Sequence, residues 1–138
     1  LIDAGLADDS ERVLLAALPE SHSPYYFMHT LAGIAKRRGD APAAADWYER
    51  AWQSAPGQAT RIQWGATWLA ALVELVPNDT PRIERAAHAL LELVESVPDA
   101  GSQRNRTQLG RIRDSLARWQ GVAANAPALA RAVDAILA

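Results

Sequence analysis

The segment from Tyr25 to Gln58 constrains this chain more than any other, because it holds two helical patterns divided by Gly39-Asp40 and closed by Pro56. The second pattern sets Ala44, Tyr48 and Ala51 at four- and three-residue steps, which places them on one face of a helix. Small residues at 44 and 51 let another helix approach closely, with the aromatic Tyr48 between them on the same face. Proline then stops the helix, since it lacks an N–H to donate and its ring crowds the preceding turn. One helix pair cannot bury its own apolar stripe, so a unit like this needs further units stacked on it. A second one is present in fainter form. Ala86, Leu90 and Leu93 stand at the same distances before Pro98 as Ala44, Tyr48 and Ala51 do before Pro56, with the turn lengthened by Pro77-Asn78-Asp79.

Periodicity and punctuation predict about seven helices and no strands. Asp8-Ser10 with Glu11 reads as a capping box opening a short first helix that Pro19 ends. Ser23-Pro24 pairs a cap residue with a proline at the first helical position and opens a second helix to about Arg38. The third is expected over about Pro42 to Ser54 and the fourth over about Ala59 to Val76. Thr80-Pro81 repeats the cap-plus-proline signal for a fifth helix, ending near Val97. The sixth, about Gln103 to Gln120, carries Leu109, Ile112, Leu116 and Trp119 as one stripe, and Pro127 to Leu137 makes an Ala-rich seventh. Helix four is apolar nearly all round: Ile62, Ala66, Leu69, Val73 and Val76 form one face, Trp64, Trp68, Leu72 and Leu75 another. Such a helix is either sandwiched inside the domain or covered by a partner, and a second copy of the chain is one candidate for that cover.

At 138 residues the chain is expected to be a single domain with a real core. Its 49% hydrophobic and 22% charged content excludes a disordered tail. A net charge of -2 gives no footprint for nucleic acid. Without cysteine there is no disulfide, thiolate metal site or redox dithiol, although that does not identify a compartment. The longest apolar run, Trp64 to Leu75, is interrupted by Glu74 and falls well short of the ~20 residues of a membrane span. A first residue Leu1, with no basic-then-apolar leader after it, suggests a piece of a longer protein.

No set of residues points to catalysis, so no catalytic, cofactor-binding or metal-binding residue is assigned and no cofactor is expected. His22, His29 and His88 lie in separate segments without a second ligand at metal spacing. Carboxylates sit near expected helix starts or on exposed faces, the serines lie outside any G-x-S-x-G turn, and there is no Gly-rich phosphate loop. Arg104, Arg106, Arg111, Arg113 and Arg118 form a basic run opposed locally by Asp114 alone, while residues 74–99 carry an acidic excess. That segregation is read first as pairing of helices five and six on a solvated surface, and second as a site for an acidic peptide or nucleic acid. Of the five tryptophans most are expected in the core, with one or two beside Arg61 exposed as peptide anchors.

Gly39-Asp40 and the order Ala44, Tyr48, Ala51, Pro56 resemble a tetratricopeptide repeat. The implied fold is all-α, with antiparallel helix pairs stacked as a short right-handed superhelix. Its parts would be an N-terminal helix (1–22), the clearest repeat (25–58), a degenerate repeat (59–98), and a degenerate repeat with a capping helix (101–138). In such repeats the helix-two face bearing Tyr26, His29, Lys36 and Arg37 lines the concave groove. With Arg61, Trp64 and Trp68 these residues make the candidate partner-binding set. The run Arg61-Ile62-Gln63-Trp64-Gly65, continuing through Trp68-Leu69, Glu74-Leu75 and Pro77-Asn78-Asp79, resembles the helical region that follows the thioredoxin fold in certain bacterial thioredoxin-family or disulfide-isomerase-like proteins. This resemblance implies a periplasmic parent with an N-terminal thioredoxin fold, in which the helical domain docks against the redox module or holds its client. The family's Cys-x-x-Cys has no counterpart here, so no catalytic residue carries over. Two functions are therefore expected in competition: a non-catalytic protein–protein interaction domain, and a structural or dimerising helical module without a peptide groove.

Overall fold

The structure is a computed structural model and describes residues 2–97, 101–119 and 127–138. Among the described residues the fold is all-α, with seven α-helices: α1 (Ile2–Ala17), α2 (Pro24–Arg37), α3 (Ala41–Ser54), α4 (Gln58–Leu75), α5 (Thr80–Ser96), α6 (Gln103–Arg118) and α7 (Pro127–Leu137). The chain forms two compact units, Leu1–Ala55 and Pro56–Ala138, divided at the proline that closes the clearest repeat.

In the first unit α2 packs on α3 and, less extensively, on α1. The stripe Met28, Leu31, Ala32, Ile34 and Ala35 is buried on α2, and Ala44, Ala45 and Ala51 are buried on α3. Ala44 and Ala51 are fully inaccessible, which is what small residues permit when two helices approach closely. Two residues make the turn between them. Gly39 adopts φ 78°, a conformation that costs glycine nothing. Its N–H reaches the carbonyl of Lys36 at 3.0 Å, and the Asp40 N–H reaches that of Ala35 at 2.9 Å. This is the paired bonding of a Schellman cap. The Asp40 side chain then accepts from the Ala43 N–H at 3.2 Å and opens α3.

Helix α1 is longer than the sequence pattern suggests. Asp8, Ser10 and Glu11 do not begin it but lie inside it. The three-residue spacing of Asp8 and Glu11 puts both carboxylates on one face. The guanidinium of Arg38, at the end of α2, donates to both. The carboxylates thus tie helix to helix where a capping box was expected. Pro19 sits in a 3-10 turn, Leu18–Glu20, just after α1 ends.

In the second unit α4 packs on α5 and on α6, and α7 packs on the same two helices. The four-residue connector 76–79 makes α4 and α5 an antiparallel pair. Arg106, in the first turn of α6, donates to the carbonyls of Ile136 (3.1 Å) and Leu137 (2.8 Å) at the end of α7, so α6 and α7 are antiparallel as well. A cation at those last carbonyls also opposes the negative pole of α7. The unit is therefore one helix pair stacked on another. Ile62, Leu69, Leu72, Ile83, Leu90, Leu109, Ile112, Leu129 and Val133 fill its interior at no more than 1% exposure.

Helix α5 starts one residue earlier than the Thr80-Pro81 signal suggests. Asp79 holds the cap position and accepts from the Arg82 N–H at 3.3 Å, with Thr80 already helical. Asp40-Ala41-Pro42 and Asp79-Thr80-Pro81 share this arrangement, in which proline at the second helical position removes an N–H that would have had no partner. Ser23 does precede α2, yet its side chain caps nothing. Asp79→Ala is expected to lower stability by about 1 kcal/mol, the usual worth of a carboxylate cap, and Thr80→Ala by less than about 0.5 kcal/mol. Urea denaturation followed by circular dichroism checks the order of the two.

Candidate interaction surface

Tyr26, His29, Lys36 and Arg37 recur at the helical period on α2, opposite its buried stripe. Tyr26 is 59% exposed, one of the most exposed large apolar side chains among the described residues. Its ring lies 4.8 Å from that of Tyr25. His29 is half-buried, and Tyr48 of α3 meets its imidazole edge-on at 5.4 Å and 71°. Tyr48 thus packs against a histidine on the candidate surface. Lys36 and Arg37 are exposed in the last turn, and α2 carries no acidic residue along its length. Gly33 falls between His29 and Arg37, and a Cβ added there would meet only the Arg37 guanidinium, 4.0 Å away. Packing therefore gives no reason for glycine, which costs a helix about 1 kcal/mol relative to alanine.

The other three residues of the candidate set belong to the second unit. Arg61 is half-buried, while Trp64 and Trp68 are 7% and 4% exposed. These two tryptophans are core side chains and not exposed anchors. The physical reason lies in α4 itself: with apolar residues around most of its circumference, both flanks are covered and its polar edge narrows to exposed Gln63 and Glu74 with half-buried Thr67. Trp119 is buried too, and Trp47 and Trp52 are half-buried, the former beneath the Arg50 guanidinium at 4.4 Å.

Among the described residues the α6 arginines do not pair with α5 as charge segregation suggested. Arg106 caps α7, and Arg111 donates to Gln108 Oε1 at 2.7 Å and to Thr67 Oγ1 of α4 at 3.0 Å. Arg118 donates to Ser115 Oγ at 3.1 Å, and Arg104 and Arg113 are exposed. Sequence reasoning missed the link between Arg111 and Thr67. A signal for it existed, since Gln58, Arg61, Gln63 and Gly65 of α4 recur in the same spacing as Gln103, Arg106, Gln108 and Gly110 of α6. That recurrence marks α4 and α6 as equivalent helices of successive pairs.

Among the described residues no group of three or more His, Cys, Asp or Glu side chains is placed to hold a metal ion, and no helix is long and apolar enough to cross a membrane. Comparison with known proteins finds no matching family, curated protein or solved structure. Trp64→Ala and Trp68→Ala are each expected to cost about 3–5 kcal/mol, as for large aromatic residues truncated in a core, whereas Tyr26→Ala stays within about 0.5 kcal/mol. Thermal unfolding of the three variants checks this.

Proposed function

We propose that the chain is a non-catalytic protein–protein interaction domain of tetratricopeptide-like helix pairs, appended to a periplasmic thioredoxin-fold thiol-disulfide oxidoreductase and used to dock that module or hold its client. The observation that carries the interaction reading is the outer face of α2. It presents an exposed Tyr26, a histidine packed against Tyr48, and two cations, on a helix whose opposite face is buried and which has no acidic side chain of its own. Tyrosine and arginine are among the side chains that carry most of the energy of protein interfaces, and a helix anchored by core packing presents them from a fixed backbone. The redox association rests on the sequence resemblance alone. A second reading, the dimerising module, no longer draws on α4, whose flanks are covered within one chain. It draws on α1 instead, where Val13 and Leu15 are 67% and 42% exposed.

An array of unfolded-protein peptides read by fluorescence anisotropy tests the first reading. Peptides that bind the wild-type chain are expected to lose roughly tenfold in affinity with Tyr26→Ala and with the pair Lys36→Ala/Arg37→Ala, the thermal midpoint being unchanged. Binding indifferent to all three substitutions would remove the α2 surface. Sedimentation velocity addresses the alternative: a dimer that Val13→Ser/Leu15→Ser dissociates establishes it, and a concentration-independent monomer eliminates it. The redox association stands or falls on whether the reading frame upstream of Leu1 encodes a thioredoxin fold with Cys-x-x-Cys.

A further inference from the structure

Arg111 is half-buried where α6 meets α4, and its two hydrogen bonds go to neutral acceptors, the amide oxygen of Gln108 and the hydroxyl of Thr67. They use two of the five N–H donors of the guanidinium and fix its plane, and they leave its charge unmatched by any carboxylate among the described residues. An arginine held in this way is pre-organised for an anion from outside, because the ordering cost of the side chain has already been met by the fold.

Arg104 and Arg118 lie seven residues to either side of Arg111. Seven residues are nearly two helical turns, so the three arginines start from one line along α6, their backbone positions about 10.5 Å apart. Arg104 and Arg118 are exposed, and Arg118 is steadied by Ser115. Asp114 stands in the same stretch of the helix, between Arg111 and Arg118. A uniform polyanion would meet repulsion there, whereas discrete carboxylates at matching intervals would meet less of it. The chain's net charge of -2 likewise disfavours nucleic acid.

We infer that this arginine line on α6 is a docking site for an acidic helical segment of a partner protein, with aspartate or glutamate at heptad spacing. Two helices lying side by side repeat at the same interval, so each partner carboxylate meets one arginine. Arg111 at the centre supplies the positioned, partly desolvated contact, and Arg104 and Arg118 set the register. The inference rests on the interaction reading but not on the α2 surface, and its test separates the two.

The probe is a labelled helical peptide with glutamate at every seventh position, compared with the same peptide carrying glutamine there, titrated into the full chain and followed by anisotropy. The glutamate peptide is expected to bind at least roughly tenfold more tightly, with an advantage that shrinks as salt rises. Arg111→Gln should weaken it roughly tenfold or more, as expected for a charge-assisted bond in a partly buried setting. Arg104→Gln and Arg118→Gln should each weaken it roughly threefold, and Tyr26→Ala should leave it unchanged. The exposed pair Arg104→Gln/Arg118→Gln decides the matter even if Arg111→Gln disturbs the α4 contact, since circular dichroism can establish that the double variant folds. Wild-type affinity in that double variant overturns the proposal. So does equal binding of the glutamine peptide, or displacement of the glutamate peptide by single-stranded DNA at comparable concentration. A loss of affinity with Tyr26→Ala would move the peptide to α2 and overturn it too.

Discussion

Helix α4 has almost no polar side, and the arrangement of the second unit follows from that constraint. Leaving either apolar flank in water would forfeit about 25 cal/mol for each square ångström exposed, so a single neighbour is not enough. Helices α5 and α6 both pack on α4, and α7 closes across the pair of them. The result is two antiparallel pairs stacked on each other, with α4 and α6 as neighbouring first helices. Their polar edges then adjoin, which is why Thr67 and Arg111 can meet although they are distant in the chain.

The helix boundaries were legible because proline and glycine punctuate this sequence heavily. Pro24, Pro56, Pro77 and Pro127 stand at or near breaks, and the span of α7 matches its pattern to the residue. Less legible was which polar residue performs the capping. Thr80-Pro81 and Asp79-Thr80-Pro81 are both acceptable openings, and only the position of the Arg82 N–H separates them. The same ambiguity hid the start of α1, where Asp8, Ser10 and Glu11 resemble a capping box yet two of them serve a cation from another helix. Local pattern cannot distinguish an acid that caps from one that bridges, because the second partner lies elsewhere in the chain.

The candidate surface was legible in part. Tyr26, Lys36 and Arg37 emerge as exposed because α2 has a clear apolar stripe, and whatever lies opposite it must face outward. Trp64 and Trp68 were ambiguous because α4 has no such contrast: when nearly every direction is apolar, periodicity carries no information about which is covered. The α6 arginines present the converse problem. Their charge is plain in the sequence, but whether a charge is neutralised depends on what the fold places beside it. Arg106 and Arg111, close in the chain, end up on a helix terminus and on a neighbouring helix respectively.

Asp40 holds both ends of the α2–α3 connection, its backbone N–H satisfying the last turn of α2 and its carboxylate the first turn of α3. Neither helix end can therefore fray without disturbing the other, since opening one removes the backbone geometry that aims the second bond. In the language of local stability, α2 and α3 belong to one cooperative unit, a foldon that opens as a whole or stays closed. For a surface carried on α2 this matters directly: the stripe from Tyr26 to Arg37 rides on a helix whose C-terminal half is prevented from breathing independently, and its side chains keep their spacing for as long as the hairpin exists.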